Sequence, residues 1–334
     1  MRDLTLLPKA HLHVHLESTV RWATLREIAR DNGIEVPAPP GGGGPAAFAG
    51  FRAFADYNAL VRECLRRPED FTRIAREFCA DEAAQGTRYA EVTFTAASHG
   101  DRLGMPEMPL EAVLLGLEEG RAAYGIEYRV LLDHSRRRSV ERARRTLGLA
   151  VRYAGEGVIG MGMAGEEAHP LAPFTRVVDE AADHGVHLVH HAGEACGPAS
   201  IREAIGPGRT ERLGHGIRVL DDPGLVAEVR ERGIPLEVCP SSNVALGFAD
   251  SLEAHPLPRL RAAGLAVTVN TDVPAIVGTT LTREYALLRD AFGYDDAVLA
   301  GLARAGADAS FAPAPVREQL HRAIDSWLAQ PAPA

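Results

Sequence analysis

The sequence predicts an α/β fold, a (β/α)8 TIM barrel with a helical insertion after its first strand. Three observations carry that prediction. Eight short apolar runs alternate with helical patterns along 334 residues, the rhythm of repeated strand–helix units. That length and a hydrophobic content of 46% are enough for one large core, so residues 1–334 read as a single domain. No Gly-x-Gly-x-x-Gly follows the first run, which takes support from the alternative, an open doubly wound sheet.

The strands are read at residues 10–16, 89–95, 127–132, 158–164, 187–192, 212–216, 235–239 and 266–271. The gap between the first two is long and holds helices at 20–31, 51–65 and 71–85. Within it, PAPPGGGGPAAFAG at 37–50 cannot be regular structure. Residues 37–85 are read as a lid over the C-terminal face of the barrel, with a plain surface loop as the alternative. Phe51, Phe54 and Tyr57 fall on one helix face, placed to cover a planar ligand or to pack in the core. Further on, Pro173 opens a helix that Gly185 closes, and Asp222-Pro223 opens another that Gly233 ends. Helices at 281–292, 296–305 and 316–328 finish the chain. Arg136-Arg137-Arg138 reads as a solvated helix start.

Charge and cysteine usage narrow the function classes. The net charge is -9, which disfavours nucleic-acid binding, because phosphate contacts need clustered cations. Cys64, Cys79, Cys196 and Cys239 form no C-x-x-C pair, so a cysteine zinc site is not expected, and reduced thiols fit a cytoplasmic enzyme. No run approaches the roughly 18 apolar residues that span a membrane. A small-molecule substrate is the expected partner; monomer and homo-oligomer both stay open.

The chemistry concentrates at strand ends. In Lys9-Ala10-His11-Leu12-His13-Val14-His15-Leu16, alternation puts His11, His13 and His15 on one face of a strand. His13 and His15 end that strand, where barrel active sites lie, and suit a pair of metal ligands. His11, deeper, reads as a packed or hydrogen-bonded residue. His190-His191-Ala192-Gly193-Glu194, Gly214-His215-Gly216 and Asn270-Thr271-Asp272 end strands five, six and eight. Singly each has a plain reading, since Asp after a strand is often a helix cap and Gly-His-Gly a tight turn. Together they bring imidazole and carboxylate to one rim, a donor set that fits a catalytic divalent metal, zinc first.

PKAHLHVHLES, MAGEE, HHAGE, RLGHGI, EVCPSSN and VNTD, in that order, resemble the adenosine deaminase family, and the similarity runs from Leu7 to about Tyr285. The resemblance implies a zinc-dependent hydrolytic deaminase of purine-like nucleosides or bases. It implies that His13, His15, His191 and Asp272 bind one zinc, and that His215 orients the attacking water and takes its proton. Glu194 would donate a proton to the ring, Gly165 would offer its backbone N–H to the far ring nitrogen, and Glu17 would face the sugar or another substituent. The sequence departs from the family where a second aspartate is replaced by Val273, an Asp by Gly162, a Gly by Ser18 and a Glu by His11. Ser18 reads as an N-cap. Val273 sits where the purine's five-membered ring would lie, so it bears on the substrate. Two other readings are hydrolysis of another C–N bond, such as a cyclic amidine or lactam, and an inactive binding protein on this scaffold.

Overall fold

The computed structural model describes residues 1–37, 48 and 51–330; residues 38–47 and 49–50 of the expected lid lie outside them. Among the described residues, eight strands form one parallel sheet in sequence order: β1 (Lys9–His15), β2 (Thr87–Phe94), β3 (Glu127–Ser135), β4 (Val158–Ala164), β5 (His187–Ala192), β6 (Arg212–His215), β7 (Leu236–Val238) and β8 (Val267–Val269). A parallel bridge between Val14 and Asp272 joins the first strand to the chain just past the last. There His15 N–H donates to Asp272 O, and Asp272 N–H to His13 O, both at 2.9 Å. The result is the (β/α)8 barrel that the alternating pattern predicts.

Alternation builds its two layers. On β2, Ala90, Val92 and Phe94 enter the apolar layer under the helices, while Tyr89 and Glu91 take part in contacts inside the barrel. The outer helices start on side-chain caps: Ser139 for Val140–Arg152, Asp222 for Pro223–Glu231 and Thr280 for Leu281–Phe292. Helices Asp296–Ala309 and Ala314–Ala329 close the N-terminal mouth, where Ala307, Ala312 and Leu320 pack on Ala10, Leu12 and Tyr89.

Four local expectations need correction. First, β1 does not alternate throughout. His11 pairs with Ala90 and Val14 with Val92, three steps against two, so a β-bulge lies between them. Asn270 Oδ1 accepts from both Leu12 N–H (2.8 Å) and His13 N–H (3.1 Å) and so holds the bulge. Leu12 therefore turns inward, and His11 turns away from His13 and His15 to meet Glu82 of helix Pro68–Ala84 and Thr271, each at 3.0 Å. Second, Ser18 is not an N-cap; it is buried in a 3-10 turn, its hydroxyl 3.3 Å from Asn58 Oδ1. Third, Pro173 sits in a 3-10 turn, Ala172–Phe174, ahead of helix Thr175–Asp183. Fourth, the insertion divides: helix Pro68–Ala84 packs on Met108–Tyr124 in the outer layer, whereas Phe51–Cys64 walls a cavity at the C-terminal mouth.

Candidate active site

Five side chains from four strand ends meet at the C-terminal mouth. Ligating atoms of His13, His191, His215 and Asp272 all lie within 4.8 Å of one another. His15 joins from β1, its Nε2 3.3 Å from His191 Nε2 and 3.4 Å from Asp272 Oδ1. His13 Nε2 stands 3.6 Å from the same Asp272 oxygen. Donors about 2.05 Å from a tetrahedral zinc ion are separated by roughly 3.3 Å. The spacing of His15, His191, Asp272 and His13 matches that edge length, so these four could hold one such ion.

Partners behind the ring aim each group. His13 Nδ1 donates to Glu237 Oε2 at 2.8 Å, which turns Nε2 to the centre. Ser242 Oγ donates to Asp272 Oδ2 at 2.6 Å and leaves Oδ1 to the histidines. Gly214 lets His13 lie against β6, since a Cβ there would sit 2.9 Å from the imidazole. Of the three non-glycine residues with left-handed φ among those described, two are His215 (66°) and Asp272 (62°). Such backbone strain gathers where surrounding contacts enforce it, often at functional sites.

A chain of hydrogen bonds sets the tautomer of His215. Leu257 N–H donates to His255 Nδ1, so His255 carries its proton on Nε2 and gives it to Asn243 Oδ1 (3.1 Å each). The Asn243 amide then donates to His215 Nδ1 at 3.2 Å. Neutral His215 therefore bears its hydrogen on Nε2, which points at the centre and lies 3.4 Å from Glu194 Oε1. Burial, then the neighbouring charge of His13, pushes its pKa down to about 3. Burial, then the carboxylates Asp272 and Glu167, raises Glu194 well above the usual carboxylate range. Glu167 also fixes its backbone by accepting from the N–H groups of Gly193 (3.2 Å), Glu194 (2.8 Å) and Cys196 (2.8 Å).

The buried atoms His13 Nε2, His215 Nε2 and Glu194 Oε1 have no hydrogen-bond partner. Buried polar atoms are otherwise paired as a rule. Three orphans around one point, beside four correctly spaced donors, fit a metal and a reacting group there.

Above this floor opens a cavity of about 400 Å³. Glu17, Gly165 and Val273 line it, as do Phe54 and Leu246. Glu17 Oε1 accepts from Thr95 N–H and His99 Nε2–H, both at 3.1 Å. Val273 packs with Phe54, Leu246, Ile276 and Val277, so one wall is apolar; Tyr57 lies against that group, and the side chain of Phe51 lies outside the described residues. Gly162 has no room for a carboxyl, because a Cβ there would meet Val189 O at 2.1 Å.

Several residues of this site went unassigned in the sequence. Asp133, in the cavity at the end of β3, lies 3.7 Å from His15 Nδ1. A carboxylate after the apolar run Val130–Leu131–Leu132 was a signal of the same kind as Asp272. Arg136 is not a solvated helix start: it is buried, and it donates to the carbonyls of Glu167 (3.3 Å), His169 (3.4 Å) and the strand-end His191. His190, beside His191, faces away and binds Met163 N–H and Gly208 O.

Comparison with known proteins follows the same outline. The sequence profile described as adenosine deaminase matches residues 8–327. An aminodeoxyfutalosine deaminase of Streptomyces coelicolor is 37% identical over 97% of this chain and 85% of its own length. An adenine deaminase of Sinorhizobium medicae is 33% identical over 95% and 98%. The crystal structure of an adenine deaminase from Arthrobacter aurescens superposes with a TM-score of 0.88 at 29% identity, over 96% of this chain and 99% of that one. By fold and by sequence along nearly its whole length, the chain belongs to the adenosine deaminase family.

Proposed function

We propose that this hydrolase, which acts on C–N bonds of cyclic amidines, removes the exocyclic amine of an amino-substituted purine-like nucleoside or base and releases ammonia. The observation that carries the reading is the 3.3–3.6 Å spacing that links His15 to His191 and Asp272, and Asp272 to His13, beside a buried Glu194 whose pKa is raised well above the usual carboxylate range. Those four residues would hold zinc, which lowers the pKa of a bound water from about 15.7 toward 7.

The chain's own groups do the rest. Glu194 gives its proton to the ring nitrogen next to the attacked carbon, so that carbon accepts the oxygen. The sequence suggested His215 as the base. The Asn243 bond supports a donor instead, since its Nε2–H orients the attacking oxygen toward the ring. Asp133, raised by burial and close to His15, is placed to take part in proton transfer at the same floor. The backbone of Gly165 and the carboxylate of Glu17 bound the substrate from the sides. Val273 offers no hydrogen bond, and a ring nitrogen buried against it would lose about 1–3 kcal/mol. That favours a substituted or deaza ring, or one that meets water at this edge.

Val273 lies in a packed apolar wall of the cavity and so concerns substrate shape, whereas Gly162 has no space for a side chain and answers to the packing of β4 against β5. Neither supports a different C–N hydrolysis. An assay of ammonia release from 6-aminopurines, N6-substituted purines and deazapurines tests the proposal, together with elemental analysis. About one zinc per chain is expected. Chelation should abolish turnover, and zinc should restore it. A zinc-replete protein that turns over none of the panel defeats the proposal.

A further inference from the structure

Five arginines line the cavity: Arg52, Arg62, Arg137, Arg138 and Arg142. Six carboxyl groups, Glu17, Asp56, Asp133, Glu166, Glu194 and Asp272, line it as well, so the cavity as a whole carries no excess of cations. Three have counter-ions: Arg52 with Asp56 at 3.0 Å, Arg137 with Glu166 at 3.9 Å, and Arg142 with Asp101. Arg142 commits its Nε to Asp101 at 2.6 Å, a carboxylate it shares with Arg145 at 2.8 Å. Arg62 and Arg138 form no ion pair among the described residues.

The same cations face a second space. Arg62, Arg138 and Arg142, with Ser98, also line a groove that runs from the cavity past Arg102. Arg102 is turned onto the carbonyls of Arg62 and Leu65 and onto His99 Nδ1. Glu63 and Asp101 are the carboxylates in that groove, against four arginines. Like charges held together in a partly walled groove repel unless an anion joins them. The planar guanidinium fork matches phosphate and carboxylate oxygens two at a time.

We propose that Arg62, Arg138 and Arg142, with the Ser98 hydroxyl, form an anion subsite for a phosphate or carboxylate carried by the substrate on the side away from its amine. The substrate is then a nucleotide or a carboxylated nucleoside, and not neutral adenine or adenosine. This rests on the deaminase reading above.

Calorimetric titration of the zinc-loaded protein with inosine, inosine 5′-monophosphate and an inosine 5′-carboxylate separates the two anions from each other and from the neutral product. At low salt at least one anion should bind about tenfold or more tighter than inosine, with the gap closing as salt rises. The R62A/R138A double variant should cut the neutral-to-anion ratio of Kd about tenfold, and R138E should cut it further. Equal Kd values for all three ligands, or a ratio that the double variant leaves intact, overturn the subsite. Equal kcat/KM on neutral and anionic aminopurines also overturns it and leaves the deaminase reading standing. Anion-selective binding with no ammonia from any aminopurine would sink the deaminase reading alone.

Discussion

The two ends of the barrel interior bury the same kinds of side chain and treat them in opposite ways. At the N-terminal end, Arg212 donates from Nε to Glu237 Oε1 at 2.6 Å, from Nη2 to Glu91 and from Nη1 to Ala309 O at 3.0 Å, and it stacks on Phe311. Tyr89 and the Phe311 N–H complete Glu91. At the C-terminal end, His13, His215 and Glu194 each keep a polar atom without a partner. Burial alone does not mark function, since both ends are buried. What separates them is whether the polar groups satisfy one another or wait for something from outside.

That comparison can be broken from either end. The largest expected effect is on catalysis. Glu194→Gln keeps the shape but removes the transferable proton, so kcat should fall about 10²- to 10⁴-fold in steady-state assays. Its urea midpoint should stay level or rise, because a buried carboxyl with an unpartnered oxygen is gone. Loss of stability would mean that the C-terminal groups support the fold after all. At the other end, Arg212→Met strands Glu91 and Glu237 as buried anions. Equilibrium urea unfolding should show a loss of roughly 3–5 kcal/mol. A change below about 1 kcal/mol would show that the lower network is replaceable.

The same contrast explains what could be read from the sequence. The barrel was legible because short, largely apolar stretches of strand length recur between helical patterns, and the site because His15, His191, His215 and Asp272 lie at or just past strand ends. The bulge in β1 was not legible: it depends on Asn270, more than two hundred positions away, whose side chain reaches back to two N–H groups of β1. Without it, strict alternation gives His11 the wrong face. The three consecutive arginines were equally opaque. Arg136 is buried because carbonyls from residues 167, 169 and 191 converge on it, while Arg137 and Arg138 reach the cavity. Local sequence cannot report a convergence that only the closed barrel creates.

Glu237 belongs to both ends and sets the sharpest test of the division. Its Oε1 takes Arg212 and its Oε2 takes His13. Burial works to raise its pKa, but Arg212 and His13 outweigh that and hold it below the ordinary carboxylate value. Glu237→Gln preserves the shape and removes the charge, so both readouts should move by modest amounts. Zinc affinity, measured by competition with a chromogenic chelator, should fall about 10- to 100-fold, because the residue behind a metal-facing imidazole sets its orientation and basicity. Stability should fall by about 1–3 kcal/mol as Arg212 loses a charged acceptor. In the double variant with Arg212→Met, the loss of stability should be smaller than the sum of the two single losses, since each variant removes the same contact. A variant that loses zinc affinity at unchanged stability, or the reverse, would show the ends to be independent. Glu237 would then serve one of them alone.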